Sequence, residues 1–509
     1  MKVSGLSHFE LGQAVPAKDH AVCVSLPTVK DLIGYEEKHP QTLMTMKSGY
    51  PRFVRNHIIN ALVHNFEQGD DDEKHESFLF TKAADCEFFL SLFQVEAMDL
   101  DERDGLLRLR LPLGSEDAEN CRLFQQHTGS SISSRFAEDL LYQKGIISKR
   151  ELITSSKLPA TEQICQVIAK AHGPEIEPKD VLLASSGANA FYSLFKAATE
   201  EARRAKKKIW IRLGWLYLDT IKVMQLLAGK QSDEQVIELN NLDDFTKLEE
   251  IFQSQGDTVA GIVTEFPTNP LLQSFDLERI KELCDQHNSL LIVDPTMASP
   301  KNAKVSSLAD VVVNSLTKYA NWEGDVMMGS LVFPRQSARG RKLMELTKGY
   351  ISSPCKRDAS RLAEQIPFYE SFIQQTNTST LKVATYLENH PKVKAVHWAY
   401  QKVCAHNYKK VAGENSPGCV VSFELNTPFE GFYNSLRMLK SPSFGTEFTL
   451  CCPYVYLAHY SMMQTKQGQN QLRKAGISPH LLRLSIGLEP VDDIIAVLAE
   501  SLDQDYSKS

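Results

Sequence analysis

The sequence contains no segment typical of a membrane-spanning or nucleic-acid-binding protein. Nowhere do about 18 apolar residues run together, so no transmembrane helix is predicted. The 56 lysines and arginines form no basic block and are outnumbered by 63 aspartates and glutamates. The modest net charge of −7 argues against nucleic acid or an anionic membrane as the main partner. The N-terminus has no continuous apolar run, so we predict no signal peptide and a cytoplasmic location.

Cysteine is also scarce, and its spacing excludes the common kinds of zinc site. The ten cysteines among 509 residues include no CxxC pair, and no histidines cluster with them at zinc-binding spacing. We therefore predict free thiols and no bound metal. With 42% hydrophobic and 23% charged residues the chain has the composition of an ordinary folded protein, and its length predicts two or three domains.

The middle of the chain alternates short apolar runs with helical patterns. Two stretches, 191–204 and 276–287, have helical periodicity. Five runs are short and apolar on both faces, as strands buried in a parallel sheet are: 181–184, 208–212, 259–263, 290–293 and 310–313. This alternation predicts an α/β fold with a mostly parallel sheet and helices on both of its faces.

The chain divides into three predicted regions. Residues 151–355 form a large α/β domain that contains the five strands. Residues 356–509 form a smaller C-terminal α+β domain, with a long helical pattern, three strands (393–398, 419–423 and 481–486) and a closing helix. Residues 1–150 fit neither pattern, and we interpret them as an N-terminal arm with an inserted helical region.

Small residues after the first predicted strand are candidates for binding a phosphate. Open α/β sheets bind ligands beyond the carboxyl ends of their strands. Ser186, Gly187 and Ala188 lie at such an end and open a helix. Small residues there let backbone N–H groups approach an anion, which the helix dipole also favours. An ordinary strand-to-helix turn is the alternative interpretation of this segment.

Asp294 and Lys318 follow the last two of the five strands. A carboxylate at a buried strand end costs desolvation unless a protonated pyridine, a metal or a helix end compensates it. A buried lysine is unusual and is suited to Schiff-base chemistry, although a lysine at a loop edge can also extend to solvent. Ser315 and Thr317 could hold phosphate oxygens beside it. A phosphate turn, an Asp and a Lys in this chain order together fit pyridoxal-5′-phosphate (PLP).

Four segments in this order resemble the PLP-dependent family of Cys/Met metabolism: 264–270 (TEFPTNP), 293–300 (VDPTMASP), 315–319 (SLTKY) and 482–489 (LRLSIGLE). The resemblance covers roughly residues 181–502. That family includes cystathionine γ-synthase and the cystathionine and methionine lyases. It implies a large domain of PLP fold type I, the architecture of aspartate aminotransferase, followed by the smaller C-terminal domain.

The resemblance implies a role for each matching residue. Lys318 would bind the cofactor and move protons, Asp294 would bind the pyridine nitrogen, and Asn269 would lie near the 3′-oxygen of the ring. Arg483 would bind the α-carboxylate of an amino-acid substrate as a bidentate fork, with Ser443 in a neighbouring substrate loop. The residues implied to hold the phosphate are Ser186, Gly187, Ala188, Ser315 and Thr317.

The sequence departs from the family at the ring face and at the phosphate. The family stacks the tyrosine of a Tyr-Gly-Gly-Thr motif on the ring, whereas the equivalent stretch here offers Trp215 or Tyr217, either of which could instead be core packing. A Tyr-x-Arg contact to the phosphate, donated by the neighbouring subunit, is missing from its usual place before Ser186. Tyr50 and Arg52 supply these residues far upstream, and Arg135 is the nearer alternative for cofactor or substrate.

The long N-terminal region is similar to that of extended cystathionine γ-synthase-like proteins, which implies γ-replacement on an O-acylhomoserine. Cysteine or another nucleophile would add at Cγ after the acyl group leaves. The alternatives are β- or γ-lyase activity on cystathionine or methionine and, from another class, a non-catalytic binding or regulatory subunit. The resemblance also implies a homo-oligomer, either a dimer or a tetramer.

Overall fold

The computed structural model describes residues 4–46, 54–68, 74–96, 99–154, 158–229 and 233–506, and it arranges their strands in four sheets. Among these residues, no helix has both the length and the apolar character that a membrane crossing requires. The ten cysteines are free thiols.

The N-terminal region combines a short strand pair with a small α/β unit. Its described elements are β1 (Ala14–Val15), β2 (Cys23–Val24), α1 (Val29–Glu36), α2 (Pro40–Thr45), α3 (His57–Glu67), β3 (His75–Phe80), α4 (Ala83–Phe93), β4 (Leu100–Arg103), β5 (Leu106–Pro112), α5 (Glu116–Thr128) and α6 (Ser134–Gln143). Strands β1 and β2 pair antiparallel, and β3, β5 and β4 form an antiparallel sheet in that order. The inserted region is therefore not only helical, as predicted, but also contains this sheet.

The central strand of this small sheet, β5, follows from its alternating sequence. Leu109 and Leu111 are buried with Phe78 of β3 in one hydrophobic cluster. Arg108, which points to the other face, is buried as well, and its Nε lies 2.8 Å from Oδ1 of Asp101 on β4. Both faces of β5 are thus covered, one by apolar packing and the other by an ion pair.

The large domain is built around a seven-stranded sheet. Its elements are α7 (Ala160–His172), β6 (Val181–Ala184), α8 (Gly187–Arg204), β7 (Ile209–Leu213), α9 (Leu218–Ala228), β8 (Gln235–Leu239), α10 (Phe245–Gln255), β9 (Val259–Glu265), α11 (Leu277–Gln286), β10 (Leu290–Asp294), β11 (Val311–Ser315), β12 (Gly329–Val332) and α12 (Ala338–Tyr350). The strand order is β6-β12-β11-β10-β9-β7-β8, and only β12 runs antiparallel to its neighbours among these strands. The predicted mostly parallel α/β sheet is confirmed.

Alternate residues of the central strands pack on opposite faces of this sheet. Leu291 and Val293 of β10 belong to one large hydrophobic cluster, and Ile292 between them belongs to a second. Helix α8 covers the second face with Phe191 and Phe195. Strands buried on both faces leave only their carboxyl ends open to a ligand, which places the site at that edge.

The C-terminal domain is an α+β unit with a five-stranded sheet of order β13-β14-β17-β16-β15. Its elements are α13 (Lys356–Gln365), α14 (Tyr369–Asn389), β13 (Val393–His397), α15 (Ala405–Val411), β14 (Val420–Leu425), α16 (Glu430–Ser435), β15 (Leu439–Lys440), β16 (Leu450–Pro453), α17 (Tyr454–Ala458), α18 (Tyr460–Met463), α19 (Lys466–Lys474), β17 (Leu482–Ser485) and α20 (Val491–Leu502). The long predicted helix is divided between α13 and α14 by a 3-10 turn at Ile366–Phe368, because Pro367 lacks the N–H that a continuous helix needs.

Candidate active site

A single cavity collects the residues that follow the central strands. Ser186, Asn269, Asp294 and Lys318 come from the carboxyl ends of β6, β9, β10 and β11 or from the loops after them. The C-terminal domain closes the cavity with the loop 442–444 and with Arg483 of β17. The topology thus brings together, in one place, groups that are up to 297 positions apart in the sequence (483 − 186).

Lys318 is buried at the centre of this cavity, with 7% of its surface exposed. Its Nζ donates a hydrogen bond to Oγ of Ser443 at 2.7 Å and lies 5.2 Å from the centroid of the Phe444 ring. Ser443 has a φ of 109°, which L-residues rarely adopt, so the substrate loop is held in a strained conformation that presents this hydroxyl to the lysine. A lysine buried at this place is suited to Schiff-base chemistry, which needs the amine as a nucleophile.

The predicted phosphate turn lies at the N-terminus of α8 and lines the cavity. Ser186 caps α8, and its Oγ accepts a hydrogen bond from the backbone N–H of Asn189 at 3.0 Å. Gly187 begins the helix, and a Cβ added to it would lie 2.8 Å from Cβ of Ser315. Only glycine fits this close approach. It lies at a helix N-terminus, where backbone N–H groups and the helix dipole favour an anion such as a phosphate. Ala188 and Thr317 line the same end of the cavity.

Two carboxylates lie side by side at the ends of neighbouring strands. Asp294 of β10 is the register partner of Glu265 of β9. Burial raises the pKa of Asp294 to about 6, although the backbone N–H and the hydroxyl of Thr296 oppose this rise. Burial and the nearby Asp294 raise the pKa of Glu265 well above its ordinary value. A cation next to these two carboxylates would offset the cost of their desolvation, and the protonated ring nitrogen of PLP is such a cation.

Arg483 is fixed as a fork in the same cavity. Its Nη1 donates to Oδ1 of Asn269 at 3.0 Å, and its Nη2 donates to the carbonyl oxygen of Ser443 at 3.3 Å. The guanidinium carbon lies 5.4 Å from the ring centroids of both Phe444 and Tyr454. These contacts hold the plane of the guanidinium in one orientation, which suits bidentate binding of a carboxylate.

Of the two residues predicted as candidates for stacking on the cofactor ring, Trp215 has the weaker structural support. Trp215 is not among the described residues that line the cavity. Its Nε1 donates to Nε2 of His459 at 3.0 Å, and burial lowers the pKa of His459 to about 3, so that this nitrogen is free of a proton and accepts. The chain turns at Gly214, whose φ is 87°, and brings the alternative residue, Tyr217, to the cavity.

Arg135 does not lie at the cavity either, which contradicts its assignment to substrate or phosphate. Its Nε lies 2.6 Å from Glu151, and its Nη1 lies 3.1 Å from Asp358 and 2.7 Å from the carbonyl oxygen of Asp325. This buried guanidinium ties α6 of the N-terminal region to α13. Tyr50 and Arg52 lie outside the described residues.

The cavity also contains polar residues that were not predicted from the sequence as site residues, among them His127, Asp219, Glu265 and Tyr454. Glu265 ends a buried strand, so the rule that selected Asp294 would also have selected it. Tyr454 begins α17, and its hydroxyl accepts a hydrogen bond from Nδ2 of Asn269 at 3.3 Å. His127 and Asp219 lie on helices from different regions, and no local pattern connects them.

The fold and this cavity define a PLP-dependent enzyme of fold type I. The family model of the Cys/Met metabolism PLP-dependent enzymes matches residues 155–503, and the chain belongs to that family. Over 96% of its length the chain is 32% identical to an L-2-amino-4-chloropent-4-enoate dechlorinase/desaturase of Streptantibioticus cattleyicolor, of which it covers 97%.

Other relatives extend the comparison to trans-sulfuration enzymes. The chain is 25% identical to a cystathionine γ-synthase of Neurospora crassa, over 97% of this chain and 98% of that protein. The solved structure of cystathionine γ-lyase from yeast superposes with a TM-score of 0.59 at 21% identity, over 70% of this chain and 93% of the other. The similarity to this solved structure supports the fold, and the relatives found by sequence support elimination or replacement at Cγ.

The residues present fit PLP, since the cavity has a helix N-terminus for the phosphate, a desolvated carboxylate for the ring nitrogen and a buried amine between them. When bound, PLP supplies an electron sink that stabilises negative charge on a substrate carbon. Ser186, Gly187, Ser315 and Thr317 would hold its phosphate and Asp294 its ring nitrogen. Arg483 then remains for the substrate carboxylate.

Proposed function

We propose that this enzyme removes a substituent from Cγ of a small L-amino acid, by γ-elimination or by γ-replacement. The substituent carries no charge while it is bound to the substrate. O-Acetylhomoserine is the O-acylhomoserine that meets this condition, and a γ-chlorinated amino acid meets it as well. The similarity to the dechlorinase/desaturase over almost the whole chain supports the chlorinated substrate as an equal candidate.

The charge inventory of the cavity carries this proposal. Of the described side chains that line it, only Lys318 and Arg483 are lysine or arginine. Arg483 is assigned to the α-carboxylate, and Lys318 must be neutral to accept a proton. An O-succinyl or O-phospho group would bring a second anion into a cavity whose described lining has no further lysine or arginine to pair with it, and burying an unpaired anion is costly.

The side chains can divide the reaction between them. Arg483 binds the α-carboxylate and thereby fixes Cα within reach of Lys318. The Lys318 amine takes the α-proton, and the hydroxyl of Ser443 at 2.7 Å orients that amine. Phe444, Met327 and Leu457 add apolar surface to the lining, which limits the access of water to a bound substrate.

A substrate panel tests the proposal. The purified enzyme is incubated with O-acetyl-, O-succinyl- and O-phosphohomoserine and with L-2-amino-4-chloropent-4-enoate, each with and without cysteine, and also with cystathionine alone. We expect release of acetate or chloride with the uncharged leaving groups, and none with the Lys318→Ala control. Preference for the succinyl or phosphoryl ester would overturn the charge argument. Faster release of pyruvate or 2-oxobutyrate from cystathionine would make the enzyme a lyase of the alternative type.

A further inference from the structure

A histidine from the inserted N-terminal region reaches the active-site cavity. His127 lies in the last turn of α5 and lines the cavity together with Lys318 and Tyr217. Its Nδ1 is 2.9 Å from Oδ1 of Asp219, which lies in the first turn of α9. Helix α5 belongs to the part of the chain that precedes the family match at residue 155, so the insertion contributes directly to this cavity.

The pair has the chemistry of an acid–base group. Asp219 is 1% exposed in its side chain, and His127 is 13% exposed. A carboxylate next to Nδ1 fixes the tautomer in which Nδ1 carries the proton, and Nε2 is then the nitrogen that exchanges protons. Asp219 lies in the first turn of α9, where the helix dipole favours a negative charge.

The position of Asp219 is itself unusual for the motif in which it lies. With Tyr217 as the tyrosine at the cavity, residues 217–220 read Tyr-Leu-Asp-Thr, which keeps the first and last residues of Tyr-Gly-Gly-Thr. Asp219 then stands where that motif has its second glycine. The carboxylate and its histidine partner therefore lie in two separate parts of the chain, one in the motif and one in the insertion.

His127 lies away from the α-carboxylate end of the cavity. A second, more open cavity adjoins the first and shares His127, Leu218 and Ala458 with it. Arg483, Asn269 and Ser443 are joined by direct hydrogen bonds and are absent from the described lining of the second cavity. A substrate held by Arg483 at its carboxylate would have its side chain in the cavity that His127 also lines.

We propose that His127 is a second proton-transfer residue of this active site and acts on the substrate side chain, with Asp219 as its positioning residue. This inference rests on the proposed function. Nε2 of neutral His127 takes a proton from Cβ, the electrons of that C–H bond form the Cβ–Cγ double bond, and the leaving group departs from Cγ with its bonding pair. The proton on His127 then passes to solvent or to the product.

Hydrogen–deuterium exchange separates this role from the rest of the reaction. The PLP-bound enzyme is incubated in ²H₂O with L-norvaline, which has no leaving group, and exchange at Cα and Cβ is followed by NMR. In His127→Gln we expect exchange at Cβ to slow by about a hundredfold more than exchange at Cα, which belongs to Lys318. Asp219→Asn should give the same split to a smaller degree.

Three controls make the outcome decisive. His39→Gln, at a side chain that is 56% exposed, should exchange both positions as the wild type does. Melting temperature and bound PLP are measured for every variant, so that a loss of folding is recognised. Equal slowing at Cα and Cβ in a folded, PLP-bound His127→Gln would overturn the inference. Wild-type enzyme that exchanges neither position would instead overturn the proposed function.

Discussion

At the scale of single residues, Arg483 combines a charge with a fixed plane. Hydrogen bonds to Asn269 and Ser443 and the rings of Phe444 and Tyr454 hold that plane. Arg483→Lys keeps the charge and loses the fork, so KM for amino-acid substrates should rise by about tenfold to a hundredfold. Steady-state kinetics measures this rise. PLP content should stay unchanged, because Arg483 is assigned to the substrate, and loss of PLP would contradict that assignment.

Asp294 should make the stability of the cofactor-free protein depend on pH. Burial raises its pKa from 3.8 to about 6, so the folded protein binds this proton more tightly than the unfolded chain does. The contribution of Asp294 to the free energy of unfolding is therefore greatest below about pH 4 and falls as the pH rises to about 6. Asp294→Asn removes this titration and should lose less stability over the same window, by at most about 3 kcal/mol. Urea unfolding between pH 4 and 7 tests this expectation, and identical pH profiles for the two proteins would refute it.

Cavity residues can be predicted from the sequence where they directly follow a buried strand. They cannot be predicted where two distant segments meet only in the folded protein. Asp294 and Lys318 could be found because each follows a buried strand, and the structure brings both to the same cavity. His127 and Asp219 meet across 92 positions, at the ends of two helices. The sequence does not separate Trp215 from Tyr217, because the turn at Gly214 changes the direction of the chain and a strand-based interpretation does not account for such a turn.

At the scale of elements, strands that are uninterrupted apolar runs were predictable from the sequence, and strands without such a run were not. Strands β9 and β10 begin at the residues predicted, since an uninterrupted apolar run has few alternatives in a folded protein. Strand β12 begins with Gly329-Ser330, a weak strand sequence, and its place between β6 and β11 depends on pairing with both. Strand β5 has no such run, and leucine alternates with arginine along it, a pattern typical of a strand whose two faces lie in different environments.

The buried ion pairs of Arg135 should stabilise the contact between α6 and α13 without affecting the cofactor. Arg135→Ala leaves Glu151, Asp325 and Asp358 without their shared cation, which should cost about 3–5 kcal/mol of unfolding free energy. The matched control is Arg150→Ala, an exposed arginine paired with Asp139, which should cost under about 1 kcal/mol. Chemical denaturation measures both values. A folded Arg135→Ala protein with weakened PLP binding would restore the role at the phosphate that the structure argues against.

At the scale of the whole molecule, the N-terminal region is part of both the packing and the active site. Arg135 ties it to α13, and His127 carries it into the cavity. The insertion therefore contacts the C-terminal domain through Arg135 and forms part of the active-site cavity through His127. We expect its removal to affect the reaction as well as the stability, because the cavity wall formed by α5 would be lost with it.

The remaining prediction concerns how two chains would complete one site. If Arg52 contacts the PLP phosphate of a neighbouring subunit, as the resemblance implies, then Arg52→Ala and Lys318→Ala chains are each inactive alone. Random co-assembly makes half of the dimers mixed, and each mixed dimer has one intact cavity, so about a quarter of wild-type activity should return. Lys318→Ala mixed with Arg483→Ala is the control, since both residues line the cavity of one chain and no intact cavity can form. Full activity of Arg52→Ala alone, or recovery in the control as well, would show that Arg52 does not act across subunits.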